Sequence, residues 1–250
     1  LTGISDIDTI VICELLNKDI FNKCLDKAKK IKPENFGLKG YRLKINSSFG
    51  PLKFDEPEMS VIHLMIYDVE GHRRHTIESP FTCFDWERSE TFVGKKLKDV
   101  FPVGSLQPRD FLEARRGLEN YLTDLNNEMI SIRNYEFGKE GVSEVIQHHP
   151  LDKRHRGEFA YHIVKNLVQN WLKLIFRENR VYSQLELEKG IHELFGGVTE
   201  KHVHNFRYLS QLKEKRSMIF PKWALGWVEK FVIDFQEIFL DRWQSALTVY

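Results

Sequence analysis

Cysteine is scarce in this sequence: its 250 residues include only three, at Cys13, Cys24 and Cys83. Three cysteines so widely spaced cannot form the disulfide framework of a small secreted protein, nor the closely spaced ligand pairs of a structural zinc site. The scarcity favours a protein that folds around a hydrophobic core in a reducing compartment, so we expect a cytoplasmic location.

Long apolar runs and an excess of one charge sign are also missing. No stretch approaches the roughly 20 apolar residues of a membrane-spanning helix, and none resembles a signal peptide, so we expect no membrane partner. The chain has 37 basic and 36 acidic residues, which gives a net charge of +1. This balance does not indicate a nucleic-acid partner, although it does not exclude one.

The composition is typical of a globular protein, with 42% hydrophobic and 29% charged residues. The first hundred residues mix two periodicities. Apolar, β-rich stretches occur at 6–14 and 59–68, a third candidate strand covers 41–49, and apolar residues recur at helical spacing over 17–31. This alternation predicts a domain of the α+β class with a small mixed sheet.

Strand patterns fade after about residue 108, and helical patterns follow. We predict long helices over 109–132 and 158–179. Three further helices are indicated by their start signals. Ser183 and Glu186 form a capping box, Thr199 suits an N-cap, and Pro221 fits a first helical turn. The chain is therefore predicted to contain an α+β domain over 1–105 and an all-α helical domain over 106–250.

Two aspartates at the start of the first strand are the main chemical feature of the sequence. Asp6 and Asp8 are two residues apart, so in a strand they project to one face with Cα atoms about 6.5–7 Å apart. Oxygen ligands so arranged suit Mg²⁺, which takes one or two carboxylates, and two such ions can assist phosphoryl displacement. The alternative is structural: Asp6 caps a turn and Asp8 forms a salt bridge at a sheet edge.

The sequence around the aspartates narrows this choice. The stretch "GISDIDTIVI" (3–12) resembles the signature of the polymerase-β-like nucleotidyltransferase superfamily, in which Ser-Asp-x-Asp precedes an apolar strand. The resemblance is close over 5–11 and extends loosely to the layout of an α/β part followed by helices. Minimal nucleotidyltransferases and antibiotic adenylyltransferases share that layout.

The resemblance implies a site at which Asp6 and Asp8 bind the magnesium ions that carry a nucleoside triphosphate, such as ATP. Gly3 and Ser5 are expected to lie beside the nucleotide. In the superfamily a Gly-Ser turn precedes this stretch and binds the triphosphate, and no such turn occurs before residue 3. We therefore expect the chain to lack N-terminal residues of the domain.

A third carboxylate on a neighbouring strand is also usual in the superfamily. The strand pattern over 59–68 has His63 at its centre and Asp68 at its end, on the opposite alternation. Asp68 is a candidate for the third acid, and His63 is a candidate base or ligand, because imidazole titrates near neutrality. His63 is equally well explained as a buried histidine with satisfied hydrogen bonds. Asp55 and Glu58 are weaker candidates in what we interpret as a turn.

Basic residues of the helical part are candidates for phosphate contacts. Lys153, Arg156 and Lys165 belong to or follow the stretch 148–162, whose histidines lack the spacing of a zinc site. Arg156 and His162 also form an R-x5-H pattern, which resembles the loose ribonuclease motif of HEPN helical domains. The simpler interpretation is a helix start in which Asp152 serves as the N-cap.

Three other groups of residues are interpreted as structural. The stretch 70–75, "EGHRRH", is predicted to be a hairpin tip, with a phosphate-steering loop as the alternative. The two histidines of "KHVH" (201–204) fall on different helix faces. Four tryptophans lie among apolar residues at helical spacing and are predicted to be core: Trp171, Trp223, Trp227 and Trp243.

Two functions follow from the sequence. The first is an Mg²⁺-dependent nucleotidyltransferase that moves a nucleoside monophosphate, with AMP expected, from the triphosphate to a hydroxyl of an unknown acceptor. The second is a catalytically inactive relative: a nucleotide-sensing or interaction module, or one component of a toxin–antitoxin pair. An acid facing Asp6 and Asp8 would favour the enzyme.

Overall fold

A computed structural model describes most of the chain, in five segments: residues 7–37, 39–51, 59–139, 141–196 and 199–247. The chain folds into two compact units. Unit 1 comprises Leu1–Arg73 and Ile130–Pro150, and unit 2 comprises Arg74–Met129 and Leu151–Tyr250. Within the described segments, no helix has both the length and the apolar composition required to cross a membrane.

Unit 1 is built on a three-stranded parallel sheet. Its strands are β1 (Ile7–Cys13), β2 (Arg42–Asn46) and β3 (Met59–Asp68), in the order β1-β3-β2. Both pairings are parallel, so the mixed sheet that we predicted is not observed among the described strands. Nearly all of β3 is buried, as is typical of a central strand with both faces covered.

One face of this sheet packs on helix α1 (Lys18–Ala28). Asn17 caps the helix by accepting a hydrogen bond from the backbone N–H of Ile20, at 2.9 Å. The apolar residues of α1 recur at helical spacing and contact alternate residues of β3, namely Ile62, Leu64 and Ile66. The predicted strand–helix–strand pattern is thus observed. On the other face of β3, His63 lies among the buried residues Val61, Met65 and Tyr67.

A β-hairpin completes unit 1. Its strands are β4 (Met129–Gly138) and β5 (Gly141–Pro150). Tyr135 and Phe137 of β4 pack against the same core as α1, and the Tyr135 hydroxyl donates a hydrogen bond to the backbone carbonyl of Ile66. Burial raises the pKa of this tyrosine. The hairpin therefore forms part of the unit 1 core.

Unit 2 is helical. The helices assigned wholly to it are α3 (Pro80–Trp86), α4 (Leu97–Val100), α5 (Pro108–Asn126), α6 (Arg156–Phe176), α7 (Gln184–Phe195), α8 (Thr199–Lys215) and α9 (Lys222–Leu247). Helix α6 is the central one, since it contacts α5, α7, α8 and α9. Phe111 of α5 stacks on Phe235 and Phe239 of α9, with ring centroids 5.6 and 4.3 Å apart.

Several local predictions can now be compared with the structure. The capping box of Ser183 and Glu186 is present at the start of α7, and Asp152 caps a 3₁₀ turn, Lys153–His155, immediately before α6. The predicted helix over 109–132 is wrong at its C-terminal end, because α5 ends at Asn126 and a strand follows. The stretch 70–75 is not a hairpin tip but belongs to helix α2 (Val69–Glu78).

Candidate functional site

Three polar side chains form a row across the sheet of unit 1. Asp8 of β1 pairs with His63 of β3, and His63 pairs with Asn46 of β2. Residues paired across a sheet project to the same face. The row lies on the face opposite α1, because Ile62 and Leu64, on either side of His63, belong to the α1 core.

His63 forms hydrogen bonds through both ring nitrogens. Nδ1 lies 3.1 Å from Oδ1 of Asp8, and Nε2 lies 2.8 Å from the backbone carbonyl oxygen of Ser48. A backbone carbonyl only accepts, so Nε2 carries a proton. A carboxylate also accepts, so the contact with Asp8 requires a second proton, either on Nδ1 or on the acid. The Asp8–His63 pair is therefore neutral overall in both arrangements.

Asn46 fixes the position of the Ser48 carbonyl. Its Oδ1 accepts hydrogen bonds from the backbone N–H of Ser48 at 3.1 Å and from the Ser48 hydroxyl at 2.6 Å. Such a side-chain-to-backbone ring is an Asx turn, which stabilises a tight bend after a strand. The carboxylate of Asp8 and the turn after β2 are thus connected through one imidazole.

Phe49 and Arg133 close one side of this network. The Phe49 ring is 6.2 Å from the imidazole of His63, edge to face. The backbones of Phe49 and Arg133 exchange two hydrogen bonds of 2.8 Å, and the Arg133 guanidinium lies 5.8 Å from the Phe49 ring centroid. The hairpin therefore packs against the residue that covers His63, an arrangement that no local sequence pattern indicates.

The exposure of the paired side chains differs sharply. The Asp8 side chain is 49% exposed, whereas that of His63 is 9% exposed. A ligand arriving from solvent can therefore contact the carboxylate directly, while the imidazole supports it from behind. This division of roles agrees with a binding acid held by a positioning residue.

Asp68, the candidate third acid, has a different local role. Its Oδ1 accepts a 2.7 Å hydrogen bond from the backbone N–H of Gly71, in the first turn of α2. In the sheet Asp68 pairs with Cys13, and it lies five residues beyond His63, or about 16 Å along the strand. The structure does not bring Asp68 to Asp8. It caps a helix instead.

Three residues of the predicted site lie outside the described segments, namely Gly3, Ser5 and Asp6. The same holds for Asp55 and Glu58. Of the predicted pair of carboxylates, the structure therefore describes only Asp8.

The basic candidates belong to unit 2. Lys153 is exposed in the 3₁₀ turn before α6, and Arg156 forms an ion pair with Glu128. Lys165 lies nine residues after Arg156, which is about 180° of rotation around α6, so these two residues lie on opposite sides of the helix. His162 contacts the side chain of Asn166, with Nε2 and Nδ2 2.8 Å apart.

The fit to magnesium rests on Asp8. Magnesium prefers oxygen ligands and needs only one or two protein carboxylates, and the half-exposed Asp8 can supply one of them. His63 cannot serve as a ligand in this arrangement, because both of its nitrogens are engaged. Over the part of the chain that the structure describes, no cluster of three or more His, Cys, Asp or Glu side chains is arranged to hold a metal ion.

Comparison with known proteins adds no relative. No protein-family model, no curated protein and no solved structure matches this chain.

Proposed function

We propose that the chain is an Mg²⁺-dependent nucleotidyltransferase, which moves a nucleoside monophosphate, AMP in the first instance, from the triphosphate to a hydroxyl of its acceptor. The observation that carries this proposal is Asp8: a half-exposed carboxylate within Ser-Asp-x-Asp, at the start of a partly buried strand that pairs with the buried strand β3. Because this carboxylate is held by His63 and is 49% exposed, a ligand from solvent can reach it while the imidazole keeps it in place.

The residues of the row take distinct roles in this proposal. Asp8 holds the magnesium–triphosphate complex together with Asp6, and the bound metal supplies neutralisation of phosphate charge. His63 orients Asp8 through the 3.1 Å contact, and the Ser48 carbonyl orients His63. In this arrangement His63 cannot accept the proton of the incoming hydroxyl, since both nitrogens already face acceptors.

A non-catalytic nucleotide-sensing or interaction module, including a toxin–antitoxin component, is the second candidate. One observation favours it: the position facing Asp8 on the neighbouring strand is a histidine and not an acid. In addition, the other candidate acid of that strand caps α2. Such a protein would bind the nucleotide but would lack a group that takes the proton of an acceptor hydroxyl.

Calorimetric titration of ATP, with magnesium and with EDTA, tests the binding site. We expect magnesium-dependent binding in the wild type and at least tenfold weaker binding in Asp6→Asn/Asp8→Asn. The matched control is Asp26→Asn, which removes an exposed carboxylate of α1. Absence of magnesium-dependent ATP binding in the wild type, or equal binding in all three proteins, would overturn the transferase and leave a structural or interaction module.

Release of pyrophosphate separates the two candidates. Wild-type protein, ATP and magnesium are incubated with pools of small hydroxyl compounds, RNA and protein as acceptors, and pyrophosphate is measured. Release that requires both aspartates supports the transferase. Binding without release from any pool supports the sensing module.

A further inference from the structure

A cleft between α8 and α9 in unit 2 has a lining that the proposed nucleotidyltransferase site does not use. Its volume is about 480 Å³, within the range of about 300–1,000 Å³ that is usual for small-molecule sites. Helix α8 contributes Lys201, His204 and Asn205 at i, i+3 and i+4. Helix α9 contributes, at helical spacing, Trp223, Gly226, Trp227 and Lys230. The cleft is therefore formed by one face of each helix.

The two indoles give the cleft an aromatic wall. Trp227 is 7% exposed, and its Nε1 donates a 3.1 Å hydrogen bond to Nδ1 of His202, which fixes the ring. Trp223 is 49% exposed, so the prediction that this tryptophan belongs to the core is wrong. The same prediction is confirmed for Trp171 and Trp227, which are buried. The side chain of Trp243 lies outside the described part. An exposed indole beside a fixed one offers a surface on which a flat ring stacks.

Cationic groups border the aromatic wall. Lys201 has no ion-pair partner among the described residues, and Lys230 forms a 2.7 Å pair with Asp234, one turn further along α9. The described lining contains these two lysines and no acid, so the cleft carries a net positive charge even when Asp234 is counted. A negatively charged ligand is therefore attracted to the edge of the cleft.

Asn205 provides a polar group at the cleft. It is 6% exposed as a whole residue and lines the cleft. A carboxamide offers both a donor and an acceptor, a combination that matches the edge of a heterocyclic base.

We propose that this cleft binds a nucleoside phosphate. The base stacks on Trp223, its edge meets the amide of Asn205, and the phosphate lies near Lys201 and Lys230. The site is independent of Asp6 and Asp8 and does not involve magnesium.

Gly226 makes the proposal testable without disturbing the fold. A Cβ added at this position would meet no atom within 4 Å, so a larger side chain extends into the cleft rather than into the core. Gly226→Leu is expected to fill the cleft, and the matched control Gly226→Ala is expected to leave most of it open. Leucine and alanine both favour the helix more than glycine does.

The experiment titrates AMP into the protein in the presence of EDTA and measures the quenching of tryptophan fluorescence. Adenosine and inorganic phosphate are titrated in the same way, because each represents one half of the ligand. We expect AMP to bind at least tenfold more tightly than either half. Binding should fall at least tenfold in Gly226→Leu and about fivefold in Lys201→Glu. It should change less than twofold in Gly226→Ala and in Asp6→Asn/Asp8→Asn.

Three results would overturn the proposal: no binding of AMP, equal affinity for AMP and phosphate, or undiminished binding in Gly226→Leu. Loss of AMP binding in the aspartate variant would assign the ligand to the proposed transferase site and would equally refute the cleft. Circular dichroism confirms that each variant is folded.

Discussion

Lys173 places an ammonium group inside unit 2. It is 1% exposed, and its Nζ lies 2.5 Å from Oδ2 of Asp85, on α3. Burial lowers the pKa of this lysine, and the charge and hydrogen bond of Asp85 oppose that shift. Asp85 also accepts hydrogen bonds from Gln169 and Arg88. The carboxylate of Asp85 therefore connects α3 to α6 through an ion pair with Lys173, and loss of this ion pair should lower the free energy of unfolding.

Removing the carboxylate should cost more than removing the amine. Asp85→Ala leaves a buried ammonium without a counter-charge, and we expect the free energy of unfolding to fall by about 3–5 kcal/mol. Lys173→Met substitutes an apolar chain of similar length, so the loss should be clearly smaller. Urea unfolding of both variants measures the difference; equal losses would contradict the prediction.

His202 gives the stability of unit 2 a pH dependence. Burial lowers its pKa below 6.5; Asp234 opposes this shift, while Lys230 and Lys201 add to it. Nδ1 of His202 also accepts the Trp227 bond, and protonation would abolish this acceptor. The unfolded chain therefore binds the proton more readily than the folded one.

The lowered pKa of His202 sets the direction of this pH dependence. As the pH falls below 6.5, the free energy of unfolding should decrease, until the lower pKa of the folded state is passed; above 6.5 this histidine has no effect. Urea titrations of wild type and His202→Gln between pH 5 and 8 test this, because the other histidines contribute to both proteins. If the free energy of unfolding falls as steeply with decreasing pH in His202→Gln as in the wild type, the prediction is wrong.

Individual site residues were predictable only to the extent that they lie in one strand. The alternation in 59–68 correctly places His63 and Asp68 on opposite faces of the strand. The pairing of His63 with Asp8, however, depends on the register of two strands, and these residues are 55 positions apart in the chain. Likewise, the Asn46–Ser48 turn and Arg133 acquire a role only through long-range packing. Short-range periodicity contains no information on such register.

At the scale of elements, α6 and α8 pack closely at Gly157. A Cβ added there would lie 2.6 Å from Cβ of Leu212, a distance that real Cβ atoms do not adopt, so one helix would have to move. Gly157 is therefore required by packing and not by a turn.

Gly157→Ala should lower the free energy of unfolding by about 1–3 kcal/mol, because overpacking outweighs the gain in helix propensity. The matched control is Gly226→Ala, where the methyl group meets nothing within 4 Å; it should be neutral or stabilising by up to about 1 kcal/mol. Thermal or urea unfolding of both proteins decides the matter. A stabilised Gly157→Ala would show that α6 and α8 can separate freely.

The elements differ in how well local sequence predicts them. Strands β1 to β3 and helix α1 follow their periodicity, and caps such as Ser183 mark helix starts correctly. The hairpin was missed because helical spacing in α5 runs into the β-branched residues that follow, with only Gly138 and Gly141 to indicate its turn. Residues 70–75 show the opposite error: Gly71 and its polar neighbours favour a turn, but the Asp68 cap and a Glu70–Arg73 ion pair support a helix.

At the scale of the whole molecule, the two units alternate along the chain. The hairpin of unit 1 is inserted between α5 and α6 of unit 2. Its ends are adjacent, because the backbone N–H of Leu151 donates a 2.8 Å hydrogen bond to the carbonyl of Glu128. The single boundary predicted near residue 105 does not describe this alternation, since β4 and β5 belong with the preceding strands.

Removal of the insertion should leave unit 2 intact. We expect residues 74–250, with 130–150 replaced by two glycines, to give a helical spectrum and one cooperative unfolding transition. Residues 106–250 should be less stable or aggregate, because they lack Phe81, which packs on Phe111, and Asp85, the partner of Lys173. Cooperative unfolding of 106–250 with greater stability would contradict this division.

The inserted hairpin also sets an order of events during synthesis. The sheet strands end at Asp68, but the core that they form with α1 includes Tyr135, Phe137 and Val142. At about 5–20 residues per second, translation from residue 68 to 150 takes roughly 4–16 s. During that interval the nascent sheet has apolar surface that its own chain cannot yet cover, so the ribosome-bound intermediate is exposed to aggregation and offers a chaperone a surface to bind.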